Sequence, residues 1–352
     1  MAKQQKQQLE FPIATQLGKG LRLFFYSQLF VTPPYPKSSF AGKTVIVTGA
    51  NAGLGLEASR HFYRLGAAKL ILAVRTVSKG QAAKEDIVQS VKTRNDPDSI
   101  EVWPVDASST ESTLAFSGRV KSTLDRLDVL VLNAGVQNET FQLSEGYEQT
   151  VQVNVLNTLL LGLDLLPKLN ETKSRFPDSS PHLNFISSDG HRLTTFPEIN
   201  APSVYDKLNE KESYSIHPVY QASKLIGVLF VRELVARLRA ASKESAPGVI
   251  INLVNPGLCA STLGLKENKP PLLVRVVRGI LDRSLEHGSR TYVLAASAPA
   301  ASHGEFQSDG KNQDVEAWIY SEVGQRAQRK VWEQTVPILE KRKPGLLRDI
   351  GL

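Results

Sequence analysis

Cysteine is almost missing from this sequence: Cys259 stands alone among 352 residues. One thiol excludes an internal disulfide framework and fits a reducing compartment. Long hydrophobic runs are scarce as well. No stretch reaches the roughly twenty consecutive apolar residues that a bilayer-spanning helix needs. The opening Met1-Ala2-Lys3-Gln4-Gln5-Lys6-Gln7-Gln8 has no apolar run of the signal-peptide kind behind it, so no secretory leader is expected. Internal repeats are absent, and low complexity is confined to the Gln-rich start. The net charge of +7 sits at the two ends: residues 1–40 carry +4 and residues 325–348 carry +5, leaving −2 for everything else. That distribution argues against a nucleic-acid groove and for solvated helix faces or contact with an anionic membrane surface. No nucleic-acid partner is expected, and the location expected is cytoplasmic or peripheral at an intracellular membrane.

Apolar content is ordinary for a globular protein, enough to bury a sizeable core. Residues 1–40 form an extension closed by Thr32-Pro33-Pro34-Tyr35-Pro36, which cannot continue a helix and reads as an extended linker. From Lys43 to Val254, short β-branched runs alternate with helical patterns. Strands are predicted at Thr44–Val47, Leu70–Val74, Glu101–Val105, Val129–Leu132, Leu183–Ile186 and Val249–Val254. Near-continuous apolar runs suit strands covered on both faces, as in a parallel sheet. Segments such as Leu56–Leu65 and Gln221–Leu238 carry apolar residues at helical spacing. The alternation predicts an α/β fold, a Rossmann-type doubly wound parallel sheet, as a single domain over residues 41–352. After Pro256 the pattern breaks. Residues 263–285 read equally as a lid over a substrate pocket or as a helix packed on its own core. An amphipathic helix around Ala327, Val331 and Trp332, then Pro337 and a basic end, closes the chain.

The first strand runs into Thr48-Gly49-Ala50-Asn51-Ala52-Gly53-Leu54-Gly55, with a helix behind it. Glycines there allow a tight turn and close approach to a pyrophosphate, for which the helix N-terminus supplies partial positive charge. A second nucleotide signal lies at the end of the next strand. An acidic residue at that point would bind the ribose 2′-hydroxyl of NAD. The chain instead has Arg75, followed by Thr76 and Lys79, and a guanidinium suits a 2′-phosphate. NADP(H) is therefore the cofactor expected. Asp106, closing the third strand, would accept from the adenine amine or cap the next helix.

Tyr220-Gln221-Ala222-Ser223-Lys224 sets a phenol and an ammonium one helical turn apart on one face. A cation about 4 Å from a phenolate at an effective dielectric near 20 contributes about 4 kcal/mol. That is about three pK units, enough to bring a tyrosine from about 10 toward 7 before desolvation opposes it. Such a phenol exchanges a proton with a carbonyl or alcohol oxygen near neutral pH.

In this order, the glycine turn, Asn133-Ala134-Gly135, Asn154, Ser187-Ser188, Tyr220/Lys224 and Pro256-Gly257 resemble the short-chain dehydrogenases/reductases over roughly residues 41–320. The chain looks most like their retinol-dehydrogenase-like branch, and within it fungal reductases of secondary metabolites. The resemblance implies that Tyr220 is the general acid/base and that Lys224 lowers its pKa and binds the nicotinamide ribose. It implies that Ser188 binds the substrate oxygen and that Asn154 holds a water in a relay toward Lys224. Gly49, Asn51, Gly53, Leu54 and Gly55 would surround the pyrophosphate. Asn133, Ala134 and Gly135 would lie on the adenosine side, Pro256 and Gly257 would shape the nicotinamide pocket, and Ser261 would contact the carboxamide. Hydride comes from the nicotinamide, so no metal is required. Two departures stand out: a long segment between Ser188 and Tyr220, expected to wall the substrate site, and the lack of a second asparagine after Asn133. His217, near Tyr220, reads as an ordinary loop histidine.

In the extension, Ile13, Leu17, Leu21, Phe25 and Leu29 fall every four residues beside Lys19 and Arg22. The stripe suits peripheral membrane contact through residues 11–31 or docking on the chain's own domain or a second subunit. Gly18 and Gly20 weaken the helix and favour docking. A homo-oligomer is a further partner expectation, from family habit. The function expected is NADPH-dependent reduction of a ketone or aldehyde on an apolar small molecule, a secondary-metabolite ketoreductase. The alternatives are a dehydratase, isomerase or cyclase on the same scaffold, a retinol- or steroid-like alcohol dehydrogenase, and a nucleotide-binding module without chemistry.

Overall fold

The computed structural model describes residues 9–242, 246–261, 263 and 272–352. The chain begins with α1 (Leu17–Phe30), then β1 (Thr44–Thr48), α2 (Gly53–Arg64), β2 (Lys69–Val74), α3 (Val77–Ser90), β3 (Ile100–Pro104), α4 (Thr110–Thr123) and β4 (Val129–Leu132). A small hairpin of β5 (Leu143–Ser144) and β6 (Tyr147–Glu148) leads into α5 (Gln149–Val151). This short helix passes through a π-helical turn at Gln152–Asn157 into α6 (Thr158–Arg175). Then come β7 (His182–Ile186), α7 (Val204–Leu208), α8 (Ile216–Ala241), β8 (Ile250–Asn255), α9 (Leu272–Leu281) and α10 (Leu285–Ala295). The chain ends with β9 (Phe306–Ser308), β10 (Lys311–Gln313), α11 (Glu322–Arg342) and α12 (Leu346–Asp349).

Eight strands form one sheet in the order β10-β9-β8-β7-β4-β1-β2-β3, parallel throughout except for the β9–β10 pair. Each parallel strand feeds two cores, because successive side chains point to opposite faces. Val45, Val47, Leu70, Leu72, Val129 and Val131 join Phe62 of α2, Ile87 of α3 and Tyr292 of α10 on one face. Ile46, Ile71, Leu130 and Leu132 join α4, α6, α8 and α11 on the other. Both faces being covered explains why these strands read as continuous apolar runs, and each fully buried aliphatic side chain contributes about 1.5–3 kcal/mol. The helical stretch Gln149–Arg175, apolar and long enough to cross a membrane by composition, is instead mostly buried in this core.

The sheet is the doubly wound Rossmann type. From β1 the chain winds outward through β2 and β3, then returns to place β4 on the other side of β1. The crevice beyond the carboxyl ends of β1 and β4 is where such sheets take ligands.

Two sequence expectations change, and a third falls largely outside the described residues. The terminal helix does not stop at Pro337 but runs through it to Arg342. Pro337 and Glu333 both lie on the exposed side of α11, so the Glu333 carbonyl left without its N–H partner faces water. The segment after Ser188 was expected to wall the substrate site. Its middle is instead built into the core, with Ile199, Val204, Tyr205 and Leu208 buried and the Tyr205 hydroxyl 2.5 Å from Thr335 Oγ1 of α11. Only its end, Tyr214 and His217, reaches the loop after β4, through Asn138 and Gln137. Of residues 263–285, read equally as a lid or as a helix packed on its own core, most of the first part lies outside the described residues. The rest is α9, ending in a bridge between Cys259 and Arg283.

Candidate active site

Thr48 ends β1, and its buried hydroxyl organises the crevice. Thr48 Oγ1 accepts the backbone N–H groups of Asn133 and Ala134, both at 2.9 Å, tying β1 to β4. Asn133 returns the contact: its Nδ2 donates to the carbonyls of Thr48 (2.8 Å) and Gly49 (3.3 Å). Its Oδ1 accepts the phenol O–H of Tyr292, from α10, at 3.0 Å. The Asn133 side chain thus faces the glycine turn and staples it. Gly49 and Gly53 have φ of +67° and +59°, the left-handed region that a Cβ would strain. A Cβ at Gly49 would lie 3.1 Å from Ala134 Cα, and one at Gly55 would run into the Gly49 carbonyl oxygen. Around Gly53 the space is open. There α2 begins behind Ala52, with no side-chain cap and no acidic residue in its first turn. Its free N–H groups and helix dipole look onto the open side of the turn, beside half-buried Asn51 and Leu54. Tight backbone, open space and an uncapped helix end fit a dinucleotide pyrophosphate.

The next two strand ends lie alongside. Gly49 N–H donates to the Ala73 carbonyl at 2.8 Å, and Val105 N–H to the Val74 carbonyl at 2.9 Å. The glycine turn, Arg75 and Asp106 therefore stand on three adjacent strand ends. Arg75 is exposed and makes no ion pair among the described residues. Thr76 does not cap α3 with its side chain, so that helix N-terminus adds positive potential beside Arg75. Asp106 does not cap α4. Ser109 does so, its hydroxyl accepting from Ser112 N–H, while Asp106 Oδ1 accepts from the N–H (2.9 Å) and O–H (2.7 Å) of Ser108. Its other carboxylate oxygen carries no hydrogen bond among the described residues.

On the other side of the crevice, Ser188 follows β7 and Tyr220 and Lys224 lie on α8. The Ser188 hydroxyl accepts Gly190 N–H at 3.0 Å and pairs with the half-buried Tyr220 phenol. Lys224 Nζ donates to the Ile186 carbonyl at 2.9 Å and lies 5.6 Å from the centre of the Tyr220 ring. The two side chains share one face of α8, as their spacing requires. The electrostatics differ from the sequence argument. Burial pushes the Tyr220 phenol up to about 12, only partly offset by the Ser188 hydrogen bond. Burial also brings Lys224 down to about 8. The amine is committed to a carbonyl oxygen and does not pull the phenol toward 7, so desolvation wins.

Asn154 lies in the π-helical turn, a local distortion common at functional sites. Its Oδ1 accepts Val136 N–H (2.8 Å), and its Nδ2 donates to the Val136 carbonyl (2.9 Å) and to Ser223 Oγ (3.3 Å). It clamps the loop carrying Gly135 to α8, one residue before Lys224. Pro256 is buried and Gly257 has φ of +79°. Asn255 Oδ1 accepts the N–H groups of Gly257 (3.3 Å) and Asp189 (3.2 Å), and its Nδ2 donates to Asp189 Oδ2 (2.8 Å). The loops after β7 and β8 are thereby joined. Half-buried Ser261 lies farther along the second loop, its N–H donating to the Cys259 carbonyl at 2.7 Å.

Thr48, Tyr292 and Asn255 were missed in the sequence. Thr48 stands inside the glycine motif, where a β-branched hydroxyl at a strand end was the available signal. Tyr292 and Asn255 carry no local pattern.

Fully buried His191 adds a pH dependence. Its Nδ1 lies 2.7 Å from the Ser188 carbonyl oxygen, and its Nε2 accepts Glu316 N–H. Burial first, then Arg192, lowers its pKa to about 3. The unfolded chain takes up this proton near 6.5, the folded chain only near 3, so stability falls as pH drops through that interval. Denaturant unfolding at pH 5 should show about 2 kcal/mol less stability from this group than at pH 7. His191→Gln should flatten that dependence.

Residues 43–175 match the family model described as short chain dehydrogenase. The chain is 40% identical over 329 residues to the short chain dehydrogenase/reductase dmxR8 of Cryptosporiopsis sp., covering 92% of this chain and 98% of that one. It is 43% identical over 279 residues to the short chain dehydrogenase atnD of Emericella nidulans, covering 78% and 86%. A solved putative short chain dehydrogenase from Escherichia coli CFT073, complexed with NADPH, has a similar fold: TM-score 0.56 and 20% identity, over 78% of this chain and 99% of that one.

Proposed function

Since the chain belongs to the short-chain dehydrogenase/reductase family of oxidoreductases, we propose that it reduces the carbonyl group of an apolar small molecule, with NADPH as cofactor and Tyr220 as proton donor. The observation that carries this reading is the Tyr220 phenol, paired with Ser188 and held protonated by burial, beside an amine on the same helix face. A phenol with a pKa near 12 gives its proton to a developing alkoxide and is a poor base toward an alcohol at neutral pH, which favours reduction. A related fold holds NADPH in the solved bacterial dehydrogenase complexed with it.

The glycine turn and the N-terminus of α2 would hold the pyrophosphate, Arg75 the 2′-phosphate, and Pro256-Gly257 the nicotinamide end. When bound, NADPH supplies the hydride for the carbonyl carbon. Ser188 Oγ donates to the carbonyl oxygen and orients it, and Tyr220 delivers its O–H proton to that oxygen. Lys224, charged below about 8 and held by the Ile186 carbonyl one helical turn from Tyr220, would bind the nicotinamide ribose. A relay through Asn154 would have to reach an oxygen, because both N–H groups of its amide are taken by Val136 and Ser223 while Oδ1 accepts a single bond.

The test is direct. Purified enzyme with NADPH and a panel of apolar aryl and alkyl ketones and aldehydes should show substrate-dependent loss of nicotinamide absorbance and formation of the matching alcohol. Product formation without NADPH oxidation would replace this reading with isomerase or dehydratase chemistry.

A further inference from the structure

Helix α1 is amphipathic in the reverse of the usual sense. Its protein-facing side carries Gly20, Phe24, Ser27 and Gln28, at i, i+4, i+7 and i+8. Gly20 backs onto Arg192, where a Cβ would sit 3.7 Å from the side chain. Ser27 Oγ donates to Asp309 at 2.7 Å, and Gln28 Nε2 donates to the carbonyls of Leu258 (2.9 Å) and Leu281 (2.7 Å). Polar side chains fasten the helix, while Leu21, Phe25, Tyr26 and Phe30 point away, Phe30 being 75% exposed. Of the stripe expected to dock on the domain, Ile13 does pack against the core, while Leu17, Leu21, Phe25 and Leu29 face outward. Helix α9 meets α1 through Leu281 and continues the pattern with Val276, Val277 and Ile280, the last 67% exposed. Among the described residues, eleven of the eighteen exposed large apolar side chains lie on these two helices. That concentration marks an interaction surface.

Charge selects the partner. The two helices carry Lys19, Arg22, Arg275 and Arg278 and no carboxylate. Only Arg278 is ion-paired among the described residues, with Asp282 at 2.8 Å. Exposed aromatic and aliphatic side chains rimmed by unpaired cations are the composition of a helix lying in a lipid interface. A second copy docking by two-fold symmetry would bring the same cations face to face. We propose that α1 and α9 together form a docking face for an anionic lipid surface. The face lies beside the catalytic loops, since α1 lies against Arg192, after Ser188, at Gly20 and is hydrogen-bonded to Leu258, after Gly257.

Full-length protein should co-sediment with vesicles of phosphatidylcholine mixed with phosphatidylserine and much less with phosphatidylcholine alone, and high salt should release it. Phe25→Asp and Ile280→Asp should each weaken binding about tenfold or more, through lost apolar burial. Arg22→Ala, which touches no packing, should weaken it about fivefold. Tyr220→Phe should sediment like the unaltered chain, so failure of the reductase reading leaves this test standing. Equal partition onto both vesicle types, no binding to either, or indifference to Arg22→Ala would overturn the proposal. So would a dimer in size-exclusion chromatography that Phe25→Asp or Ile280→Asp dissolves, which would assign the face to a second copy.

Discussion

Tyr220→Phe is expected to lower kcat for carbonyl reduction by roughly 10²- to 10⁴-fold, the range for loss of a positioned general acid. NADPH affinity should stay within about threefold, since the pyrophosphate and 2′-phosphate sites stand on other strand ends. The substitution leaves the ring in place against Lys224 and deletes only the oxygen that pairs with Ser188. Stopped-flow single turnovers with saturating NADPH separate the chemical step from product release. The pH profile gives a second signature. Lys224 is charged below about 8 and loses its proton above, so kcat/KM for reduction should be level to that point and then fall. Tyr220, near 12, stays protonated across the same range. Full single-turnover rates in Tyr220→Phe would end the assignment.

The parallel strands were legible because burial on both faces writes itself as runs such as Val45-Ile46-Val47 and Leu70-Ile71-Leu72. Strands β9 and β10 have three residues each, too short for periodicity to register. Their turn did carry a signal: Asp309-Gly310, with φ of +55° and +75°, is the two-residue hairpin pattern. The glycine turn, Ser188, Tyr220 and Lys224 were legible as an ordered set of motifs.

What failed has a common cause. Spacing on one helix shows that Tyr220 and Lys224 share a face, but not that burial outweighs their attraction, because desolvation depends on everything packed around them. A four-residue stripe in α1 fixes which residues lie together, but not which side docks. That choice was made by Asp309, Leu258 and Leu281, which offer polar partners to Ser27 and Gln28. The bond from Tyr292 to Asn133 crosses 159 residues of sequence and has no local trace.

Arg75 carries the other large expected effect, on cofactor choice. Gly49 is bonded to Ala73 at 2.8 Å, two residues before Arg75, so the strand end carrying Arg75 stands next to the turn that would hold the pyrophosphate. A charge-assisted bond from a guanidinium to the 2′-phosphate is worth about 1.5–3 kcal/mol. Arg75→Ala should therefore raise the Kd for NADPH roughly 10- to 150-fold while changing that for NADH little. Arg75→Asp should go further, repelling the phosphate and offering the ribose 2′-hydroxyl an acceptor, so that NADH becomes the better substrate. Neither change should cost more than about 0.5 kcal/mol of stability, because Arg75 is exposed and forms no ion pair to lose among the described residues. Isothermal titration with both nucleotides reads the effect without any carbonyl substrate. Unchanged NADPH affinity in Arg75→Ala would move 2′-phosphate recognition elsewhere. Thr76 and Lys79, exposed on the first turn of α3 and its flank, would then be next to substitute. The uncapped N-terminus of that helix keeps a positive potential there whichever side chain dominates.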